Sequence, residues 1–315
     1  MRFRTQPWVL ALGLALFCVL AILGLLAYRT RNAWTPQQMA ATLPVQDAVI
    51  LYVDLGTMRQ TGLLNLIAGS KAVEEAEYRK FVDDSGFDYK TDLERVAISF
   101  QSTGRYVVAV GKFDWNRIKA FALRSGAECV NAICEVKSAS FTDRSVSFYP
   151  MHNGAMALAS ATGSGGVYLI SPVQLERNTD QVNSWGASAP VWIRVPSSVW
   201  KDPNALPTGA RIFGTALAPA TNTIFTIEAK SPTQISLRLN AICATPADAE
   251  KIRKELDDAT QLLRKLLTRE GMTPRPADLA NLLMRGTFTL QGNRVYGEWP
   301  LDMALLHSVF EGEVR

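Results

Sequence analysis

Two of the four cysteines, Cys129 and Cys134, lie close enough in the chain to react with one another. In the stretch ECVNAICEV, a two-residue turn at Asn131-Ala132 makes Val130 and Ile133 the closing hydrogen-bonded pair. Cys129 then falls opposite Cys134 at the next, non-hydrogen-bonded pair, where side chains approach most closely. That geometry suits a cross-strand disulfide. Asn-Ala is a weaker turn pair than Asn-Gly, so two reduced core cysteines and a redox-active pair remain as alternatives. The spacing is not that of the two-residue redox motif. Cys243 ends an alternating strand on its apolar side and reads as a small buried hydrophobe; Cys18 sits inside a long apolar run. Both are expected to be reduced.

The other chemistry-bearing residue types give weaker patterns. Asp83, Asp84, Asp88, Asp92 and Glu94 crowd together, but counted from Asp84 the third position is Gly86 and the sixth Tyr89, which breaks the alternating oxygen pattern of a calcium loop. A helix end, a turn and a cap explain the acids. GSGG at 163–166 lacks the Lys-Ser/Thr of a phosphate loop. His152 and His307 have no spaced partner, and no serine sits in G-x-S-x-G. We therefore expect no catalytic, cofactor-binding or metal-ligating residues. Trp185, Trp192 and Trp200 are the candidate partner-binding residues, since with Trp299 they would line a surface for a glycan or an envelope protein. The competing and preferred reading puts Trp192 and Trp299 in the core or at sheet edges. The expected role is non-enzymatic binding or scaffolding; the alternative is an envelope enzyme, for example a hydrolase, with a dispersed site.

Composition bounds these readings. Apolar residues make up 48%, charged residues 20% and aromatic residues 9% of the 315, a balance that excludes wholly disordered, collagen-like and disulfide-dense chains. The formal charge of +4 is local. Arg2, Arg4, Arg29 and Arg31 are four of the 33 basic residues and fall in a stretch with no acid, leaving 29 basic against 29 acidic residues. The neutral remainder lacks the basic face that nucleic acid requires.

Residues 8–28, WVLALGLALFCVLAILGLLAY, contain no charge, Pro, Asn or Gln. A helix of that length spans about 31 Å, the thickness of a hydrocarbon core. Trp8 and Tyr28 stand at its two ends, where aromatic rings favour the membrane interface. The run is longer than the core of a cleavable signal peptide, and bulky Leu16 and Phe17 beside Cys18 argue against lipidation. A retained anchor is expected, with residues 1–34 as membrane segment and flank. The flanking charges orient the N-terminus to the cytoplasm, which places the body in the periplasm at a bacterial inner membrane.

The elements behind the anchor follow a recurring order. Thr35-Pro36 starts a helix, and 49–55 is a buried strand. A helix over 70–84 stops at Gly86. Strands at 93–100 and 106–112 form a hairpin, Asp114 caps a helix stopped by Gly126, and short strands follow at 129–136, 146–149 and 155–159. Residues 161–166 and 176–189 read as loops around a strand at 167–170. The second half has a strand at 191–195 and a hairpin over 223–243. A helix capped by Thr245 then runs to Glu270, striped by Ile252, Leu256, Ala259, Leu263, Leu266 and Leu267. A hairpin at 287–299 turns at Gly292-Asn293, and 302–310 is a last helix. The pattern predicts an α+β protein: two similar antiparallel-sheet modules, 35–186 and 187–315, with helices packed on one face, behind one transmembrane helix.

Leu43-Pro44 before VILYVDL, followed by GFDYKTDLERVAISF, resembles a phrase of exported bacterial proteins of unknown function with duplicated α+β modules. Over most of 35–305 the chain resembles uncharacterised acidobacterial membrane-anchored proteins. The resemblance implies bacterial origin and export, and it transfers no catalytic residues.

Overall fold

Strand pairing in this chain joins mostly near neighbours in sequence. The structure, a computed structural model, describes residues 33–61, 64, 76–137, 144–202, 211–231 and 234–305, and Pro36–Arg315 pack as one unit. The first part of that unit runs α1 (Pro36–Thr42), β1 (Val49–Asp54), α2 (Leu55–Gln60), α3 (Ala76–Ser85), α4 (Tyr89–Asp92), β2 (Leu93–Gln101), β3 (Gly104–Gly111), α5 (Trp115–Arg124), β4 (Glu128–Val130), β5 (Ile133–Lys137), β6 (Arg144–Pro150) and β7 (Ala155–Thr162). A 3₁₀ turn (Gly166–Leu169) and α6 (Pro172–Ser184) lead to β8 (Val191–Pro196), α7 (Ser197–Lys201), α8 (Arg211–Leu217), β9 (Asn222–Ser231), β10 (Gln234–Ile242), α9 (Pro246–Arg269), α10 (Leu279–Leu283), β11 (Thr287–Gln291) and β12 (Arg294–Leu301).

All the described strands belong to one sheet, in the order β11-β12-β10-β9-β8-β1-β2-β3-β7-β6-β5-β4. β1 and β8 pair antiparallel in its middle, with Tyr52 opposite Trp192 and Ile50 opposite Arg194. From each of these strands the chain enters a hairpin, β2–β3 or β9–β10, and then a capped helix, α5 or α9. It returns in a hairpin whose second strand joins the earlier one, β7 on β3 and β12 on β10. The first half adds the small hairpin β4–β5. The sheet is continuous across residues 186–187, where the sequence predicts a module boundary.

Register carries one row of side chains across the whole sheet. It runs Phe288, Gly297, Leu239, Phe225, Ile193, Leu51, Ile98, Val107, Leu158, Phe148, Cys134, Cys129. No member is polar, so a one-residue slip in any strand would bring a neighbouring row onto the wrong face. On this face α5 seats Ile118 and Ala122 against Cys134 and Phe148, and α9 seats Ile252, Leu256 and Ala259 against Leu239 and Trp299.

Helices also cover the other face, over β1–β3 and β6–β7, which corrects the one-faced packing expected from the pattern. There α1 and α6 pack together and the 3₁₀ turn lies on β6 and β7. Side-chain size explains the close approach. β7 presents buried Ala155, Ala157, Ala159 and Ala161, and a Cβ at Gly166 would stand 2.8 Å from the Ala161 Cβ. Two local expectations change with this layer. Residues 167–169 lie in the 3₁₀ turn and Ile170 caps it, so 167–170 is not a strand, and 176–189, expected as loop, are largely taken by α6. Ser171 caps α6 ahead of Pro172. Its inward positions include Asn178, whose Nδ2 donates to the carbonyls of Ala41 and Leu43 at 3.1 and 3.0 Å, so a polar residue interrupts the apolar stripe that would mark a helix.

A buried cation ties this layer to the sheet. Arg194 on β8 donates from Nε to Asn222 Oδ1 at 2.8 Å and from Nη1 to the carbonyls of Val45 and Ala48 at 3.3 and 2.9 Å. Its guanidinium lies 5.1 Å from the Trp185 ring centroid. Burial pushes its pKa down to about 10, which still leaves it charged at neutral pH.

Arg194→Met strips the donors from Asn222 and two loop carbonyls and is expected to destabilise the protein by about 3 kcal/mol, read from the urea midpoint; a loss below about 1 kcal/mol would show that water replaces the guanidinium. A second prediction concerns alkali. Burial raises the pKa values of Cys243, Tyr149 and Tyr52, so the folded state holds protons that the unfolded chain releases near its ordinary values of about 8.5 and 10. Stability should therefore fall as pH rises above about 9. A flat urea midpoint up to about pH 10.5 would contradict it.

Candidate functional site

The β4–β5 hairpin ends the sheet. Asn131, with φ of 55°, makes its turn, and the register sets Val130 opposite Ile133, Cys129 opposite Cys134 and Glu128 opposite Glu135. Cys129 and Cys134 are bonded in a disulfide, and Cys134 is buried against α5. Cys243 is free and buried. Alternation sends Glu128, Val130, Ile133, Glu135 and Lys137 to the opposite face.

On that face the 3₁₀ turn packs on β6 and β7, and no described helix covers β5 and β4 beside Tyr168, which is 67% exposed. The result is a cleft of about 310 Å³, floored by Ile133, Glu135 and Lys137 and walled by Val130, Ser164 and Tyr168. Val130 is 72% exposed. Gly163 and Gly165, with φ of 77° and 72°, form the turn that presents Ser164 and Tyr168. Here the GSGG stretch has a structural task.

Electrostatically the floor favours a donor or a cation. Glu128 and Glu135 face one another across the hairpin, where like charges repel, and Glu135 Oε1 is shut off from solvent with no hydrogen-bond partner among the described residues. Lys137, two residues along the same strand, is the nearest basic residue in the lining. β4 is also a sheet edge. In this register Cys129 belongs to a non-hydrogen-bonded pair, so its N–H and C=O point away from β5. The outer edge of β4 therefore offers the Cys129 N–H and C=O to an extended chain running beside it, with the cleft on the adjoining face.

A second concavity, of about 250 Å³, lies on β10–β12–β11 around Arg238, Thr289 and Tyr296. Its cation is already satisfied: Arg238 contacts Glu228 at 2.5 Å and Glu298 at 3.9 Å. The β4–β5 cleft is thus the stronger candidate.

The tryptophans form no such surface. Trp192 is 2% exposed and stacks on Tyr52 at 5.6 Å; Trp185 is 1% exposed and meets Trp192 edge-on at 6.2 Å. Both lie in the layer beneath α1 and α6. Trp200 is half-buried, and its Nε1 donates to Thr223 Oγ1 at 2.8 Å. The candidate partner-binding set is thus core and its flank, because the neighbouring apolar face gives each ring more to bury against than water does. Trp8 and Tyr28 lie outside the described residues. Among the acids of 83–94, Asp88 caps α4 and accepts from the Tyr78 hydroxyl at 2.7 Å, and Arg59 pairs with Glu94 at 3.0 Å. Among the described residues no group of three or more His, Cys, Asp or Glu could hold a metal ion.

Sequence reasoning missed Glu128, Glu135, Lys137 and Tyr168. The signal for the first three was present, since they alternate with the cysteines. Nothing local marks Tyr168.

No protein-family model and no curated protein sequence matches the chain. Two solved structures resemble it distantly. Crystal form III of TP0453 has a TM-score of 0.44 at 11% identity, with 87% of this chain and 98% of that chain covered. Crystal form IV of TP0453 has a TM-score of 0.41 at 11% identity, with 86% and 95% covered.

Alkylation without reductant, followed by intact mass measurement, should leave Cys129 and Cys134 unmodified and block Cys243 only after denaturation. Four blocked thiols would refute the pairing. The double change Cys129→Ser with Cys134→Ser, which opens a loop of sequence separation 5, should cost about 2 kcal/mol in urea unfolding.

Proposed function

We propose that the chain is a single-pass, membrane-anchored bacterial envelope protein whose periplasmic body binds or scaffolds another envelope component without catalysis. The observation that carries the reading is the β4–β5 cleft, an apolar-rimmed concavity beside a strand edge that no described strand pairs with. An extended segment of an envelope protein fits it better than a glycan, because Cys129 beside the cleft turns its N–H and C=O outward, where a second backbone can pair with them. The uncharged run at 8–28 supports the anchor, because as a helix it matches the thickness of a hydrocarbon core; among the described residues no helix is long and apolar enough to cross a membrane. A disulfide in an edge hairpin suits an oxidising compartment. The body arose, in this reading, by duplication of one α+β module: the two halves share a connection order, and their first strands pair antiparallel.

Photo-crosslinking in intact cells tests the cleft. A crosslinking side chain at Val130 or Tyr168 should capture a protein adduct. The same group at Leu290, 41% exposed at the far end of the sheet, should not. Adducts at all three positions or at none would overturn the binding role. Protease added to spheroplasts should degrade the body, and full protection would refute the topology.

A further inference from the structure

The last turns of α9 combine exposed apolar and basic side chains. Leu262 and Leu266 are 44% and 37% exposed, and Met272, just beyond the helix, is 52% exposed. Lys265 and Arg269 are exposed beside them. At 3.6 residues per turn, Leu262, Lys265, Leu266 and Arg269 fall within an arc of about 100°, away from the core-facing Leu256, Thr260 and Leu267. Arg264 turns to the other side, where its Nε donates to the Met284 carbonyl at 2.6 Å.

Charge along the helix is uneven. Residues 246–258 hold five acids and three bases, several of them paired: Arg253 bonds Glu250 and Asp257, and Lys251 lies 3.9 Å from Glu255. Residues 259–277 hold four basic residues, Arg264, Lys265, Arg269 and Arg275, and one acid, Glu270. Arg275 pairs with Asp278. Among the described residues Lys265 and Arg269 make no ion pair. The acids facing this side from α9 itself, Glu255 and Asp258, lie at or before the turn where the patch begins.

The geometry points to this end of α9 as a docking surface for an anionic lipid bilayer, with Leu262, Leu266 and Met272 entering the headgroup boundary and Lys265 and Arg269 meeting lipid phosphates. The inference rests on the proposed anchor. Two cations and three apolar side chains are too few to recruit a free protein, but on a tethered chain the local lipid concentration is high enough for them to orient the body.

The full chain reconstituted in bilayer discs tests this through amide hydrogen exchange over 259–272. In discs containing phosphatidylglycerol, exchange should slow several-fold relative to discs of phosphatidylcholine alone. High salt should abolish the difference, as should Lys265→Glu combined with Arg269→Glu. Unchanged exchange over α5 in that variant shows that it remains folded. Equal exchange in the two discs, or slowing that survives both salt and the double change, would overturn the docking surface. Release of the chain from both discs by alkaline washing would refute the anchor instead, and the lipid dependence before the wash would still decide the patch.

Discussion

Continuity of the apolar row from Phe288 to Cys129 is the constraint on which the rest of the molecule depends. Each strand contributes one residue to this face, half-buried in the middle strands, and each inner strand is held in register by its two neighbours. The middle rung, Leu51 beside Ile193, belongs to β1 with β8, the one strand pairing among the described residues that joins the two halves. At the far end the row finishes in the Cys129–Cys134 bond. That covalent rung supplies what a three-residue edge strand cannot supply from its own backbone hydrogen bonds. The cleft exists because of it: with β4 fixed, Glu128 and Val130 are held beside the 3₁₀ turn, where no described helix covers the face.

The second layer, α1 with α6, obeys a different rule. It is positioned by polar side chains in a dry place. Asn178 reaches the Ala41 and Leu43 carbonyls, Ser99 donates to the Pro44 carbonyl, and Arg194 reaches those of Val45 and Ala48. All of these carbonyls lie at the end of α1 and in the loop that follows it before β1. Buried carbonyls need donors, and three distant elements supply them. The same layer buries Trp185 and Trp192, so the aromatic residues most suggestive of a binding surface are where the protein is least accessible.

What could be read from the sequence follows from this difference. Hairpins with clear alternation, such as β9–β10 and β11–β12, and helices with strong caps, such as α9 behind Thr245-Pro246, were legible because local chemistry alone specifies them. The disulfide was legible from turn geometry. The second helical layer was not, because its signals are small residues and buried polar ones: a row of alanines on β7 and an asparagine in the stripe of α6. One continuous sheet was likewise invisible, since the β1–β8 pairing joins strands far apart in sequence with no turn between them. Of the cleft, the hairpin side could be read from alternation, whereas Tyr168 comes from a loop brought in by tertiary packing.

The two ends of the sheet are unequally defended against association. β4 is short, carries Glu128 and is stapled to its neighbour. β11 is five residues long and reads Thr-Phe-Thr-Leu-Gln; it has no charge or proline, and four of the five residues are exposed. Natural sheets blunt such edges with lysine, proline or bulges. The central residue of β11, Thr289, is flanked by Phe288 and Leu290 on one face and by Thr287 and Gln291 on the other, so two copies laid antiparallel would match face for face. At high concentration, growth of aggregates in this protein should therefore begin at the β11 end, strand on strand, before it begins at the stapled β4 end.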